Sequence, residues 1–411
     1  MADYRNITAL VLGVTLLQLA GGVLGVITPL GLASLEAGSV SIGAVATLNS
    51  LGFMIGAWQA NTAIRLFGNI RVHAAAGALT AVTILLMHMV PNLVAWAGIR
   101  IVQGISLAWM FASLDAWLGA ALPARNRGSI SGFYHFMAKI ALIAGPFFAF
   151  GMSVLDSRPY MWGAIFIALS MLPICLTRRD QPPPPDVEPL PLRRLIGLAP
   201  SSVFACFMAG VINTGTLSLL PLYAVDALAG LEDRATSLAA IATAAVWIGG
   251  VISQWPAGKV SDRVDRRLVI ALMVGVSAVA AFLLGLDLSL PPLLILLLLA
   301  IWGAGSLSFY GIAVAHIIDW APPAKIPQVM TGLLFVWAVG SMIGPLLAGL
   351  SLHAPTGART LFLVMGGLSL LLVLAQLVRR ASRPPAPEDL QEPWSPTTPL
   401  LVGRGEVDPR V

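Results

Sequence analysis

Four ionisable residues stand inside long apolar stretches of this chain: Arg100, Asp115, His135 and Lys139. A charge in hydrocarbon is costly, so each is read first as functional. Arg100 falls in Gly98-Ile-Arg100-Ile-Val-Gln103-Gly104, about seven residues, or ~10 Å, from one end of its stretch. Asp115 lies about seven residues from the other end, and His135 and Lys139 lie about six and ten residues into the next stretch. In two antiparallel helices rising ~1.5 Å per residue, these three sit at similar depth. His135 and Lys139, four apart, share a face. A carboxylate that gains and loses a proton beside two bases makes and breaks an ion pair, which is the chemistry of a proton-coupling switch. The same side chains would equally serve as a fixed salt bridge between two helices. Arg100 and Asp115 are ~22 Å apart along one helix and cannot pair directly.

Uncharged polar residues near the middle of apolar stretches form a second set: Gln18, Gln103, Asn213, Thr214 and Tyr310. Such groups are expensive against lipid, so they should face protein or a cavity. No Ser/His/Asp arrangement and no phosphate-binding loop stands out, and Cys175 and Cys206 show no metal-ligand spacing. The chain is therefore expected to be no enzyme, with no metal and no cofactor.

The elements that position these residues follow from composition. Hydrophobic residues make up 57% of the 411 and charged residues only 10%, with a mean hydropathy of +0.86. A soluble chain of this length would need a more charged surface. Twelve apolar runs are long enough to cross a bilayer, at 7–33, 41–64, 72–90, 93–122, 129–153, 158–177, 200–226, 235–257, 268–288, 292–319, 328–352 and 359–378. They lack the alternation of a barrel. The predicted fold is an all-α membrane protein: twelve transmembrane helices in two pseudo-symmetric six-helix bundles, 1–177 and 200–378. A charged linker with four consecutive prolines, 178–199, joins them, and a Pro-rich tail, 379–411, is expected to be disordered.

Nineteen Lys and Arg fall on the side of the two termini, and three (Arg158, Arg234, Arg359) on the other. This bias predicts that both termini are cytoplasmic. It also accounts for the basic pI of about 9.6 without nucleic acid as a partner.

The most charged connection is Gly258-Lys-Val-Ser-Asp262-Arg263-Val-Asp265-Arg266-Arg267, between the eighth and ninth runs. The two halves also repeat at an offset of 199: Gly145-Pro146 matches Gly344-Pro345, and Gln103-Gly104 matches Trp302-Gly303. Around the second Gly-Pro the sequence reads Gly340-Ser-Met-Ile-Gly344-Pro345-Leu-Leu-Ala-Gly349, with small residues that let helices approach closely.

The loop pattern Gly-x-x-x-Asp-Arg-x-x-Arg-Arg resembles the signature loop of the major facilitator superfamily, with Asp265 where a second Gly is usual. Arg100-x-x-Gln103-Gly104 resembles that superfamily's helix-four motif, and the Gly145-Pro146 region its antiporter motif with three glycines replaced. Phrases such as Ala116-Trp-Leu118, Gln254-Trp255-Pro256-x-Gly258 and Val339-Gly340-Ser341 resemble the YcaD-like branch of bacterial transporters.

The resemblance implies a monomeric inner-membrane carrier of small organic solutes that uses protons and works by alternating access between two bundles. It implies a midplane cavity lined by Gln18, Gln103, Asn213, Thr214 and Tyr310, and proton coupling through Asp115, His135, Lys139 and Arg100. It further implies a cytoplasmic latch at Gly258, Asp262, Arg263, Arg266 and Arg267, and packing or gating at Gly145, Pro146, Gly340, Gly344 and Pro345. Proton-coupled efflux is the expected direction; import by symport is the alternative, and a receptor of the same fold a more remote one.

Overall fold

Twelve helical spans run back and forth through the structure, a computed structural model, from Thr8–Ser34 to Arg359–Ser382. It describes residues 2–121, 127–176, 189–229, 234–286, 288–353 and 357–382, together with Pro384 and Trp394. An even number of spans puts the start of the first and the end of the last on one face, the terminal face.

The N-terminal half holds α1 (Ala2–Ser34), α2 (Ser39–Phe67), α3 (Asn69–Met89), α4 (Leu93–Ala121), α5 (Arg127–Ala144) and α6 (Ser157–Cys175). The fifth span changes from α-helix to 3-10 helix over Gly145–Ala149. Pro146 brings no N–H and crowds the preceding turn, so the α ladder stops there.

Residues 178–188, with the four prolines, lie outside the described residues, but α7 (Leu192–Leu198) folds against the C-terminal half. Leu195 is buried there, and the Leu190 amide donates to the Gln328 carbonyl at 3.0 Å.

Two C-terminal spans are interrupted. The seventh is α8 (Pro200–Ala209), a π-helical turn over Gly210–Thr214 and α9 (Gly215–Ala227). The tenth is α12 (Pro292–Ser306) and α13 (Phe309–Ile318). The rest are continuous: α10 (Ala235–Ser261), α11 (Arg266–Gly285), α14 (Ile326–Leu352) and α15 (Arg359–Ser382). The last of these continues past 378 to Ser382. Of the tail beyond it only Pro384 and Trp394 are described.

Packing reproduces the internal repeat. A Cβ on Gly104 would strike the Asn49 carbonyl of α2, and one on Gly303 the Val246 carbonyl of α10. Likewise Gly145 abuts the Leu19 carbonyl of the first span, and Gly344 the Val211 carbonyl of the seventh. The same close approach thus recurs between equivalent spans of each half, for want of a side chain.

Each half has its own apolar core. Large apolar side chains also stand exposed on the outer faces, among them Leu293 at 80% and Val94 at 78%. Apolar exposure on this scale fits lipid rather than water.

Candidate functional site

A cavity of about 280 Å³ lies between the halves. Its walls come from α1, α2 and α4 on one side, and from α9 and α14 on the other. Arg100 enters from α4. Its Nη1 donates to Gln103 Oε1 at 2.9 Å, and Gln103 Nε2 rests against Met87 Sδ at 3.4 Å. Gln103 is fully buried behind the arginine and orients it. Arg100 Nε is buried without a hydrogen-bond partner, as are Asn49 Oδ1 and Thr28 Oγ1 on the same cavity. Among the described residues, no carboxylate lies within ion-pair distance of Arg100. Phe53 and Trp337 bring an aromatic wall, their ring centroids 6.4 Å apart.

Of the five predicted lining residues, Thr214 reaches this cavity and four do not. Gln103 is spent on Arg100. Asn213 exchanges hydrogen bonds with Ser306, donating to its carbonyl at 3.0 Å and accepting from its hydroxyl at 2.5 Å, and so ties the π turn to the break in the tenth span. Tyr310 is buried in the C-terminal core, and Gln18 lies near Gly21 and away from the cavity. Periodicity gave the depth of these residues but not their azimuth. The π turn shifts the azimuth of everything after Gly210. Asn49, Trp337 and Ser341 were missed: Asn49 and Ser341 are ordinary polar residues in small-residue stretches, and nothing in their spacing marks them.

Asp115, His135 and Lys139 are all buried. The Asp115 carboxylate acts electrostatically on Tyr134, and Lys139 acts on the neighbouring His135. Lys139 Nζ donates to Gln254 Oε1 of α10. Lys139, predicted beside Asp115, thus makes a bond that crosses between the halves. The cause is packing: α5 lies against α10 as well as against its own half, and the flexible lysine stem turns to the amide. Gln254 stood in a phrase singled out from the sequence without receiving a role.

The charged loop ties helix ends within the C-terminal half. Arg266 forms a bidentate pair with Asp319 at the end of α13, Nε to Oδ2 at 2.7 Å and Nη2 to Oδ1 at 3.2 Å. Its Nη1 also reaches Asp262 Oδ1 and Ser261 Oγ, each at 3.2 Å. Asp319 is buried and is the main partner. Asp265 caps α11 by accepting from the Arg267 amide at 3.0 Å and side chain at 2.8 Å. Arg267 Nη1 in turn donates to the Arg379 carbonyl at 3.1 Å. Burial acts to raise the Asp265 carboxyl, but the hydrogen bonds from Arg267 hold it below the ordinary carboxylate range. Arg263 stays exposed, off this network. Trp394 from the tail packs on Gly258, where a Cβ would collide with the ring, and its amide donates to Asp262 Oδ1 at 2.8 Å.

Gly340, Gly344 and Pro345 lie where the seventh, eleventh and second spans meet. A Cβ on Gly340 would strike the Phe207 carbonyl, and one on Gly43 of α2 the Pro345 carbonyl. Gly145 and Pro146 hold the first span at Gly22. Three further hydrogen bonds cross the halves: Thr47 Oγ1 to the Met342 carbonyl at 2.7 Å, the Gly151 amide to Ser237 Oγ at 3.0 Å and Thr236 Oγ1 to the Met152 carbonyl at 2.6 Å. All three lie toward the face opposite the termini. An apolar cluster of Val26, Leu30 and Ala239 joins the halves on the same side.

The sequence model of the Major Facilitator Superfamily matches residues 10–242 and 230–406. The chain is 23% identical over 394 residues to an uncharacterised MFS-type transporter of Enterobacter sp. (strain 638), covering 94% of this chain and 99% of that one. It is 24% identical over 392 residues to the uncharacterised MFS-type transporter YcaD of Escherichia coli O7:K1, again covering 94% and 99%. The nucleoside transporter NupG superposes with a TM-score of 0.68 at 15% identity, covering 91% of this chain and 98% of that one. A D-xylose-proton symporter does so at 0.70 and 14%, covering 90% and 96%. At such identities the structural likeness is one of fold. With matches along nearly its whole length, the chain is a multi-pass membrane transporter of the secondary type and belongs to the major facilitator superfamily.

Proposed function

We propose that this transporter is a monomeric, proton-coupled exporter of a small organic solute in a bacterial inner membrane, with both termini in the cytoplasm. The observation that carries the reading is the cavity walled by both halves with a half-buried arginine on its wall. A solute held there touches both bodies, so their relative tilt would expose it to one side and then the other. The excess of Lys and Arg on the terminal face supports the orientation. With that orientation, the cross-half contacts close the outer side of the cavity.

Asp115 is the proton carrier in this reading. Its protonation changes the field at Tyr134 and along α5, where Lys139 is bonded to the other half. The loop around Asp262 and Arg266 stiffens the terminal face of the C-terminal half so that it moves as one body. Import by symport would use the same groups, and the gradient that drives flux in oriented vesicles separates the two directions.

The test is purified protein in liposomes holding a pH-sensitive dye, challenged with sugars, organic acids, amino acids and drug-like cations. One solute should trigger proton movement, and Asp115→Asn should abolish that movement while solute still binds. Solute flux without proton movement would make the protein a uniporter and Asp115 a structural group.

A further inference from the structure

We propose that the cavity at Arg100 takes an organic monoanion, a carboxylate or sulfonate on a small, flat, apolar body. This rests on the transport reading above and narrows its substrate class. Arg100 is the only ionisable residue among the fifteen that line the cavity. A guanidinium is a fixed cation at neutral pH. Here it has no carboxylate partner among the described residues, and its Nε points to no acceptor. A charge left this way between apolar helices is expensive unless something mobile neutralises it.

Gln103 fixes one edge of the guanidinium at 2.9 Å and leaves the Nε side for a two-pronged acceptor such as carboxylate. Asn49 and Thr28 add unspent polar atoms on the same wall. The side-chain amide of Asn49 can turn its N–H toward an anion, since its two ends are interchangeable.

The rest of the cavity sets the body and the charge. Phe53 and Trp337 supply aromatic faces, with Leu24, Ile42 and Leu217 beside them. A volume of about 280 Å³ is at the small end of ligand pockets, which run from roughly 300 to 1,000 Å³. One ring with a short substituent fills it. A second negative charge would find no second cation, and a cationic solute would meet Arg100 as a like charge.

Purified full-length protein is titrated with benzoate, benzenesulfonate, benzamide and benzylammonium, with the thermal unfolding midpoint as readout. Benzoate or benzenesulfonate should raise the midpoint saturably, and the amide and the ammonium should not. Arg100→Gln should weaken the anion effect roughly ten- to a hundredfold, as expected for one charge-assisted hydrogen bond, and Arg100→Lys should keep part of it. If Arg100→Gln does not fold, Asn49→Leu and Trp337→Ala replace it, each expected to weaken the anions from its own side of the cavity.

Equal stabilisation by benzamide, an anion effect unchanged in the variants, or no effect of either anion at millimolar concentration overturns the proposal. Liposome flux separates this from the parent reading. Transport of a neutral or cationic solute without anion binding removes the anion site and leaves the transporter. Arg100-dependent anion binding with no flux for any solute does the reverse.

Discussion

Lys139 is the residue whose environment departs furthest from its sequence neighbourhood. It lies one helical turn from His135, yet its ammonium is bonded to Gln254 in the other half. Gln254→Leu would keep the volume and remove the acceptor, leaving a buried ammonium unpaired. The expected cost is about 1–3 kcal/mol, read as a lower unfolding midpoint. Adding Lys139→Met should recover much of it, because an apolar pair of similar shape has no polar group left to satisfy. If the double variant is as unstable as the sum of the two, the bond does not matter to stability. Asp319 behaves as a residue of the same kind. Asp319→Asn would strip a buried, bidentate arginine of its counter-charge, and removing one partner of such a pair costs about 3–5 kcal/mol. Folded yield in detergent reports the loss directly.

At the scale of the element, the loop between α10 and α11 shows how far sequence carries. Its charge and its glycine announce a tight connection, and Asp265 does cap α11. The carboxyl of Asp265 is held low by Arg267, so its contribution to stability is complete above the ordinary carboxylate pKa of about 3.9. That contribution is lost as pH falls through the lower, folded value. Melting curves of the parent and Asp265→Asn should therefore differ at neutral pH and converge in acid. A gap that stays constant with pH would show that the cap acts without its charge.

What sequence did not show was Asp319, more than fifty residues away and next to a helix end. A lone Asp there is compatible with solvation, and only tertiary packing brings Arg266 to it. The twelve spans and their repeat were legible because hydropathy and Gly spacing are local signals. The cavity was less so, because the π turn at Gly210–Thr214 and the break after Ser306 rotate their spans by amounts no periodicity records. Thr214 therefore lines the cavity, whereas Tyr310, beyond the break, is buried in the C-terminal core. Arg100 is conspicuous in the sequence because charge in hydrocarbon needs no azimuth to stand out, but the sequence set it with proton coupling and the structure sets it on the cavity wall.

At the scale of the molecule the two halves share packing but divide their chemistry. Where the C-terminal loop sets Arg266 against Asp319, the N-terminal loop sets uncharged Asn69 against Ser113. Conversely, the ionisable residues nearest mid-span, half-buried Arg100 with buried Asp115 and Lys139, belong to the N-terminal half. One half thus carries the mid-span charges, and the other carries the ionic brace at the terminal face.

The lone cation in the cavity has an electrical consequence. Empty, the cavity holds one positive charge; with a monoanion bound, it holds none. An elementary charge crossing the full field is worth ~2.3 kcal/mol per 100 mV. A transmembrane voltage would therefore act through Arg100 on the return of the empty carrier and leave the loaded one alone. One proton entering for each anion leaving would carry two positive charges inward, both driven by an inside-negative potential, whereas a neutral solute would leave a single charge to be driven. Current measured alongside flux would count those charges.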